Sequence, residues 1–382
     1  MQGVSRLRLR RIWLDVHLWI GLGLGALLTV VGVSGSLLVW HDGLDVLLTP
    51  HRYAVSGAEP AQPPSAYLAA AAAAVPQGVG PVSLRMPEHP GAPVRVIARG
   101  AAPEGSRPPT WSVWLDPPTG RVLDAAEASG SVVGFLHVLH GSLAAPQYSG
   151  RQIVGWSGVA MLISACTGLY LWWPRKDFLR ALGWRRGFTV SNNLHRLLGF
   201  WICVPLAVLS LTGIYLSFPQ TGRALMSSVA PMSPQQQRQN FNAPSQPAKL
   251  APDAAAAAAL AAAGADARLW TLAPPAGRSG SWRVQVWSPG AEEPATVTVD
   301  DASGAAKLAT PRGEPLAGDA AARLIRRIHD GDGMGVVWQT IVFLGGVLPA
   351  LFVVTGLMMW LRRRRARRAM TRRRAPLPAA AE

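Results

Sequence analysis

Four long apolar runs dominate the sequence and restrict the folds that are open to this chain. A helix needs about 20 residues to cross roughly 30 Å of hydrocarbon, and each run is at least that long. Charged residues make up only 15% of the 382 residues, which argues against a water-soluble protein. We therefore predict four membrane-spanning helices. The runs are Leu18–Trp40, Ile153–Trp173, Leu197–Phe218 and Val336–Leu361.

The first run has a second interpretation, a cleaved signal peptide, because the basic stretch RLRLRR precedes it. The run is longer than the roughly 7–15 apolar residues of a signal peptide. His17, at its start, also has a counterpart later in the chain. We therefore favour a retained span.

Positive charge is concentrated beside the apolar runs. The net charge is +16, and eighteen of the 37 Lys and Arg fall in three short pieces: residues 1–11, the stretch PRKDFLRALGWRR and the tail LRRRRARRAMTRRR. Basic segments stay on the cytoplasmic side of a membrane. This predicts a bacterial inner-membrane protein with both termini cytoplasmic and two large periplasmic loops. Because the cations do not lie on folded domains, we expect membrane lipid rather than nucleic acid as their partner.

The chain contains an internal repeat. His17 and His195 each precede a glycine by four residues and a hydroxyl–glycine pair by seventeen and eighteen, Ser34-Gly35 and Thr212-Gly213. The second and fourth runs share the ends TGLYLWW and TGLMMWL, and His140 and His329 lie 27 and 26 residues before the respective threonines. Since the first and third spans run in the same direction, the repeat predicts a pseudo-twofold axis along the membrane normal.

Each half of the repeat contains a soluble stretch of similar pattern. An Ala-rich segment precedes apolar–polar alternation, seen in PVSLRM, VRVIAR and TWSVWLD in the first half and in RLWTL, SWRVQVW and ATVTVD in the second. We predict two small α+β modules with antiparallel sheets, and a flexible linker at 219–252. The expected segments are a basic N-terminus 1–11, span 12–40, module and histidine segment 41–150, span 151–173, loop 174–191, span 192–218, module and histidine segment 219–335, span 336–361 and basic tail 362–382.

The four histidines form two symmetry-related pairs at two depths. His17 and His195 are expected near the cytoplasmic face, and His140 and His329 near the outer face. The open readings are axial haem ligation, a zinc or copper site, a proton relay and structural hydrogen bonding. No carboxylate or thiolate clusters with them in the sequence, which makes zinc or copper the weaker choice. Two occupied axial positions would restrict a haem to electron transfer.

The order of these motifs resembles the PepSY-associated transmembrane (PepSY_TM) family, and within it the FoxB-type di-haem ferrisiderophore reductases. The similarity rests on VHLWIG, LHGSL, TGLYLWWPR, LHRLLG and IHDG and extends from about Leu14 to Arg365. The resemblance implies two haem b groups held by His17, His195, His140 and His329. His137, one turn before His140, is a second choice for that ligand, or a residue at the haem edge or substrate.

The resemblance also implies an oxidoreductase that passes electrons across the membrane and reduces the iron of a ferric siderophore in the periplasm. We expect the substrate in a concavity between the two modules, near His137, Met334 and Trp338 and the region of Met226 and Met232. The chain lacks a nucleotide-binding glycine motif, so electrons would come from a cytoplasmic reductase or a quinol. His41, His51 and His89 are interpreted as ordinary loop residues.

Two other functions remain open. The chain could be a membrane-anchored PepSY binding or regulatory protein without redox activity, or a transporter of iron or its chelate. Transport is disfavoured because the sequence indicates no helix broken at mid-membrane, with Pro205 and Pro349 as the only candidates for a kink.

Overall fold

The computed structural model describes residues 2–101, 108–127, 130–174, 177–232, 248–276, 280–291, 294–308 and 316–374, with side chains omitted at 2–6 and 371–374. The chain divides into two compact units. A helical unit comprises 1–41, 136–229 and 320–382, and a sheet unit comprises 42–135 and 230–319. The tail beyond residue 374 and much of the predicted linker, 233–247, lie outside the described residues.

The helical unit contains the apolar runs. Among the described residues, three of its helices are long and apolar enough to cross a membrane, and a fourth span is present if the bent pair at the N-terminus is one span. The principal helices are α1 (Gln2–Gly23), α2 (Gly25–Leu38), α5 (Val132–Ser142), α6 (Gly150–Trp172), α7 (Phe178–Ala181), α8 (Val190–Ser217), α9 (Pro219–Val229), α11 (Ala317–Asp330) and α12 (Gly335–Arg374). Helix α6 packs along α8, α12 packs against α2 and α8, and α1 packs against α6.

The first span is not one straight helix, contrary to the sequence-based expectation. Its two parts, Leu7–Gly23 and Gly25–Leu38, meet at an angle of 66°. The break falls at Leu24, between two glycines, where low helix propensity makes interruption inexpensive. The two prolines that were the candidates for a kink lie inside uninterrupted helices, Pro205 in α8 and Pro349 in α12.

In its described residues, the sheet unit contains one eight-stranded antiparallel sheet. Its strand order is β4-β3-β2-β1-β5-β6-β7-β8, so the strands of one half of the chain are followed by those of the other. The halves join where Leu84 and Arg85 of β1 pair with Leu272 and Thr271 of β5. The strands are β1 (Val79–Arg85), β2 (Val94–Gly100), β3 (Thr110–Leu115), β4 (Val122–Glu127), β5 (Arg268–Ala273), β6 (Ser281–Trp287), β7 (Ala295–Asp300) and β8 (Ala306–Leu308).

This junction changes the predicted arrangement of the two modules. They form one continuous sheet, because β1 and β5 are directly hydrogen-bonded neighbours. A substrate concavity between them stays a prediction. A strand edge left unpaired in each module would expose a row of backbone donors and acceptors, and pairing the two edges removes that cost. The fourth strand of each half, which the sequence pattern did not predict, follows the turn at Asp116–Gly120 or Asp300–Gly304.

Two Ala-rich helices, α4 (Pro64–Ala73) and α10 (Pro252–Ala263), cover the sheet, and two further short helical segments, α3 (His41–Leu48) and Pro50–Tyr53, precede it. The core is contributed by alternate strand residues together with the apolar faces of α4 and α10, as expected for a sheet with one buried face. The two helices are linked by Ser65, whose backbone N–H and hydroxyl donate to the carboxylate of Asp253 at 2.8 and 2.5 Å.

Two segments outside the predicted spans are helical. Residues 219–229 of the predicted linker form α9, with Pro219 in the first turn, where its missing N–H costs no helical hydrogen bond. The basic tail continues α12 as far as Arg374. Arginine has good helix propensity, so the helix does not end where the apolar run ends.

Candidate cofactor site

His17 of α1 and His195 of α8 form the first histidine pair. Their ring centres lie 6.2 Å apart and their planes are 83° from parallel. His17 Nδ1 lies 3.1 Å from the carbonyl oxygen of Ser164 and 3.1 Å from the hydroxyl of Thr167, both on α6. His195 Nδ1 lies 2.9 Å from the hydroxyl of Thr355 on α12. Each imidazole is thus held by a helix other than its own.

His140 of α5 and His329 of α11 form the second pair. Their ring centres are 6.1 Å apart with 40° between the planes. His140 Nδ1 lies 2.9 Å from the carbonyl oxygen of Val31 on α2. His329 Nδ1 lies 3.1 Å from the carbonyl oxygen of Leu209 and 3.0 Å from the hydroxyl of Thr212, both on α8. The rings of this pair are therefore held as those of the first pair are, through Nδ1 and an oxygen on another helix.

The hydrogen-bond partners determine the tautomer of these rings. A carbonyl oxygen only accepts, and each threonine hydroxyl already donates to a carbonyl of its own helix, so Nδ1 must carry the proton. The lone pair is then on Nε2, the nitrogen turned away from these partners. The three threonine bonds are Thr167 to Ile163 at 2.7 Å, Thr212 to Val208 at 2.9 Å and Thr355 to Leu351 at 2.8 Å.

Each of these four histidine rings packs against the glycine of a hydroxyl–glycine pair, and the missing side chain leaves room for the ring. We call each such pair a histidine seat. A Cβ placed on Gly35 would lie 2.6 Å from Cε1 of His140, and one on Gly213 would lie 3.0 Å from Cε1 of His329. The corresponding distances are 3.2 Å from Gly168 to His17 and 3.7 Å from Gly356 to His195. The hydroxyl–glycine pairs of the sequence repeat are therefore histidine seats.

The spacing of both pairs suits one metal ion between two imidazoles. Metal–nitrogen bonds of about 2.0–2.1 Å, with each nitrogen about 1 Å from its ring centre, place the centres about 6.3 Å apart in a linear arrangement. The observed separations are 6.2 and 6.1 Å. A structural hydrogen bond between two imidazoles would need their nitrogens near 2.9 Å and would use the Nδ1 or Nε2 proton. Both Nδ1 protons are already committed, so the donor set fits two axial ligands.

The surroundings also fit a flat macrocycle beside the first pair. Gly21 and Gly199 lie one turn after His17 and His195, and a Cβ at either glycine would meet no atom within 4 Å. The indole N–H of Trp172 is buried without an acceptor among the described residues, and a carboxylate of a bound cofactor would satisfy it. In contrast, Gly25 and Gly32 are occupied by helix packing, against Val353 and the Gly346 carbonyl.

Burial keeps the second pair neutral. It lowers the pKa of His140, and burial together with the neighbouring His140 lowers the pKa of His329 to about 4. Neutral imidazole is the form that binds metals. The ring therefore does not have to lose a proton at pH 7 before it ligates.

The other predicted site residues take different positions. His137 is not opposite His329; its ring lies 6.0 Å from that of His41. The indole N–H of Trp338 donates to the carbonyl of Ile328 at 2.9 Å, so this side chain anchors the turn that follows His329. Met334 is half-buried in the same turn, with its backbone N–H bonded to the Gly331 carbonyl.

Met226 belongs to the helical unit and Met232 to the sheet unit. The Met232 side chain packs against Gly318. Among the described residues, no group of three or more His, Cys, Asp or Glu has an arrangement that could hold a metal ion. Sequence reasoning missed two features of the site, the carbonyl partners of Nδ1 and the pairing of His41 with His137. The repeated threonine–glycine pairs were a signal for the first, whereas nothing in the repeat pointed to the second.

A comparison with protein families supports the family that the sequence motifs resemble. The model of the PepSY-associated TM region matches residues 14–363, which is most of the chain. No curated protein matches. With three to four apolar helices of spanning length and this match, the chain is a multi-pass membrane protein and belongs to the PepSY-associated TM region family.

Proposed function

We propose that this protein is a di-haem b electron-transfer oxidoreductase that reduces the iron of a ferric siderophore. The observation that carries the proposal is the pair of imidazole–imidazole separations, 6.2 and 6.1 Å, each with Nδ1 protons bound to a neighbouring helix. His17 and His195 would hold one haem, and His140 and His329 the other. A bound haem supplies reversible one-electron exchange at iron.

The chain's own residues contribute ligation, orientation and exclusion of other chemistry. The two imidazoles of each pair would hold the iron of a haem between them, which would leave no coordination position open for O₂ or substrate. The hydrogen bonds at Nδ1 hold each ring in place and increase the basicity of Nε2. Electron transfer is therefore favoured over catalysis at iron.

The two sites lie at different levels along α8. His195 is near the start of this helix, and Leu209 and Thr212, which hold His329, follow it by 14 and 17 residues. At 1.5 Å per residue this is a rise of about 21–25 Å, most of the hydrocarbon thickness. Two sites stacked in this way form a path for electrons from one face to the other.

The distribution of charge supports an orientation for the path. Arg residues cluster at the N-terminus, in the 174–191 loop and at the end of α12, which by the positive-inside rule would be cytoplasmic. In this topology the chain has four spans in a tandem repeat with both termini inside. The sheet, read as two PepSY-like modules, would be periplasmic. A cytoplasmic reductase or a membrane quinol would supply electrons, one for each ferric ion reduced.

Reduction would release the metal from its chelate. Siderophores bind ferric iron through hard oxygen donors, and ferrous iron, with lower charge, is held more weakly by them. The bend at Leu24 favours the second candidate, a transport path for iron, because broken helices form binding sites in transporters. That function leaves the two histidine pairs without a role.

The test is the absorption spectrum and haem content of the full chain purified in detergent. We expect b-type bands, about two haems per chain, and reoxidation of the reduced protein by a ferric siderophore. Alanine at His17 or His195, or at His140 or His329, should each remove about one haem, while His89→Ala, at an exposed loop residue, should keep both. A folded, colourless protein from cells supplied with haem would refute the proposal, and iron uptake by liposomes containing it would favour transport.

A further inference from the structure

A third pair of histidines lies outside the two candidate haem sites. The ring of His41, at the start of α3, is 6.0 Å from the ring of His137 on α5, with 78° between their planes. Both side chains are exposed, and both belong to the helical unit. The sequence repeat gives no counterpart for this pair, so it is not a third copy of the seats described above.

The geometry of the pair is that of a metal site. Two imidazoles bound to one ion through nitrogen at about 2.0–2.1 Å have ring centres about 5 Å apart at a tetrahedral angle and about 6.3 Å apart when linear. The observed 6.0 Å falls between these limits. His41 Nδ1 lies 3.1 Å from the Leu38 carbonyl oxygen, an acceptor only, so its proton is on Nδ1 and its lone pair on Nε2.

The exposure of the His41 and His137 rings favours a small metal ion over a haem as their ligand. A haem requires a large apolar surface, which two exposed rings at the surface do not provide. Neither ring belongs to the hydroxyl–glycine pairs of the repeat, at which the other four histidines lie. A hydrated divalent ion needs only a few ligands from the protein and keeps water at its remaining positions. Imidazole is a good ligand for zinc, copper, nickel and ferrous iron and a poor one for magnesium or calcium.

We propose that His41 and His137 bind a divalent first-row transition metal ion. His137 is three residues before His140 on α5, so the site is one helical turn, about 4.5 Å of rise, from a residue of the second histidine pair. In one respect the inference rests on the proposed function: if chelated ferric iron is reduced at this face, ferrous iron is the ion that the pair receives. Binding of a metal as such does not depend on it.

The test is zinc binding by the full chain in detergent, purified as in the haem measurement, with equilibrium dialysis and metal analysis. Zinc has no redox chemistry, so the readout is independent of electron transfer. The parent should bind one zinc that each of His41→Ala and His137→Ala weakens at least tenfold. His89→Ala, at another exposed histidine, is the matched control and should bind as the parent does.

The outcomes separate this inference from the proposed function. Unchanged zinc affinity in both alanine variants, with the haem spectrum intact, would overturn the metal site. Three haems per chain, falling to two in His41→Ala, would also overturn it, in favour of a third haem. A colourless protein that still loses zinc in both variants would uphold the site and refute the electron-transfer function.

Discussion

The ring of His140 lies where the side chain of residue 35 would stand, and glycine at that position leaves the space open. A Cβ there would be 2.6 Å from Cε1 and 2.9 Å from Nδ1 of the ring. His140 can therefore approach α2 closely enough for its Nδ1–H to reach the Val31 carbonyl at 2.9 Å. A residue without chemical function of its own thus determines where a candidate ligand sits.

Replacing this glycine should remove one haem. In Gly35→Ala the methyl group displaces the His140 ring and breaks its bond to Val31, so we expect about one haem per chain in place of two. Gly43→Ala is the control, because a Cβ at Gly43 meets no atom within 4 Å. Haem content by pyridine haemochrome is the measurement, and two haems in Gly35→Ala would contradict the role of the seat.

The hydroxyl of Thr355 should strengthen haem binding at the His17–His195 site. It is buried, 3% exposed, and accepts from His195 Nδ1–H. Loss of a hydrogen-bond partner of a ligating histidine typically weakens metal binding by about 10–100-fold. Thr355→Val, of equal shape, should therefore release haem to an acceptor such as apomyoglobin faster than the parent, and Thr355→Ser should restore retention. Equal release by the valine and serine variants would show that the hydroxyl does not act through His195.

Arg52 should be essential to the stability of the sheet unit. It is 5% exposed, donates from Nε to Asp124 at 2.7 Å and contacts Asp45 at 3.3 Å. Removing one member of a buried ion pair costs at most about 3–5 kcal/mol. The cost here should be smaller, because Asp124 would keep its contact with His51 at 3.3 Å and Asp45 its hydrogen bond from the Tyr53 hydroxyl at 2.7 Å. Arg52→Ala should increase hydrogen exchange in β3 and β4.

The matched control is Arg85→Ala, because Arg85 forms an ion pair with Glu88 in which both side chains are largely exposed. Such pairs contribute about 0–1 kcal/mol. If the two alanine variants exchange equally, burial of Arg52 does not contribute the stability assigned to it.

Acid should destabilise the sheet unit through Asp116. Burial acts to raise the pKa of this carboxyl, but hydrogen bonds from Ser56 and Thr119 outweigh it and hold the pKa below its usual value. A depressed pKa in the folded state contributes stability above the unfolded value, about 3.9, that is lost as pH falls through the folded pKa. Stability should therefore be level near neutral pH and decline below about pH 4.

The variant Asp116→Asn isolates this effect. It should be less stable than the parent at pH 7 and should approach the parent as the pH falls below about 4, because the charge that it lacks is then neutralised in both. Tryptophan fluorescence of the full chain during urea unfolding is the measurement. The exposed Asp266→Asn is the control, and a constant difference between Asp116→Asn and the parent at all pH values would contradict the assignment.

Much of the secondary structure was predictable because its signals are local. Apolar run length predicted the helices α6, α8 and α12, and alternation predicted six of the eight strands. The exceptions have physical causes. The strands β4 and β8 lie at the edges of the sheet and have weak alternation, and α9 begins at a proline in the segment predicted to be a linker.

For the site, the sequence by itself determined which residues are available. The spacing of His17, His195, His140 and His329 from their hydroxyl–glycine pairs is written in the repeat, since residues at fixed separations on a helix occupy fixed levels. It also determined that none of the four apolar runs carries an acidic residue to share a proton with them.

Only the tertiary structure decided which of these residues meet. It placed His140 and not His137 opposite His329, brought His137 to His41, and joined the two halves of the sheet through Leu84 and Leu272. The bend at Leu24 likewise appears only in the fold. The reason is that each of these relations joins helices or strands distant in the chain, and such contacts depend on the packing of whole elements, which local pattern does not encode.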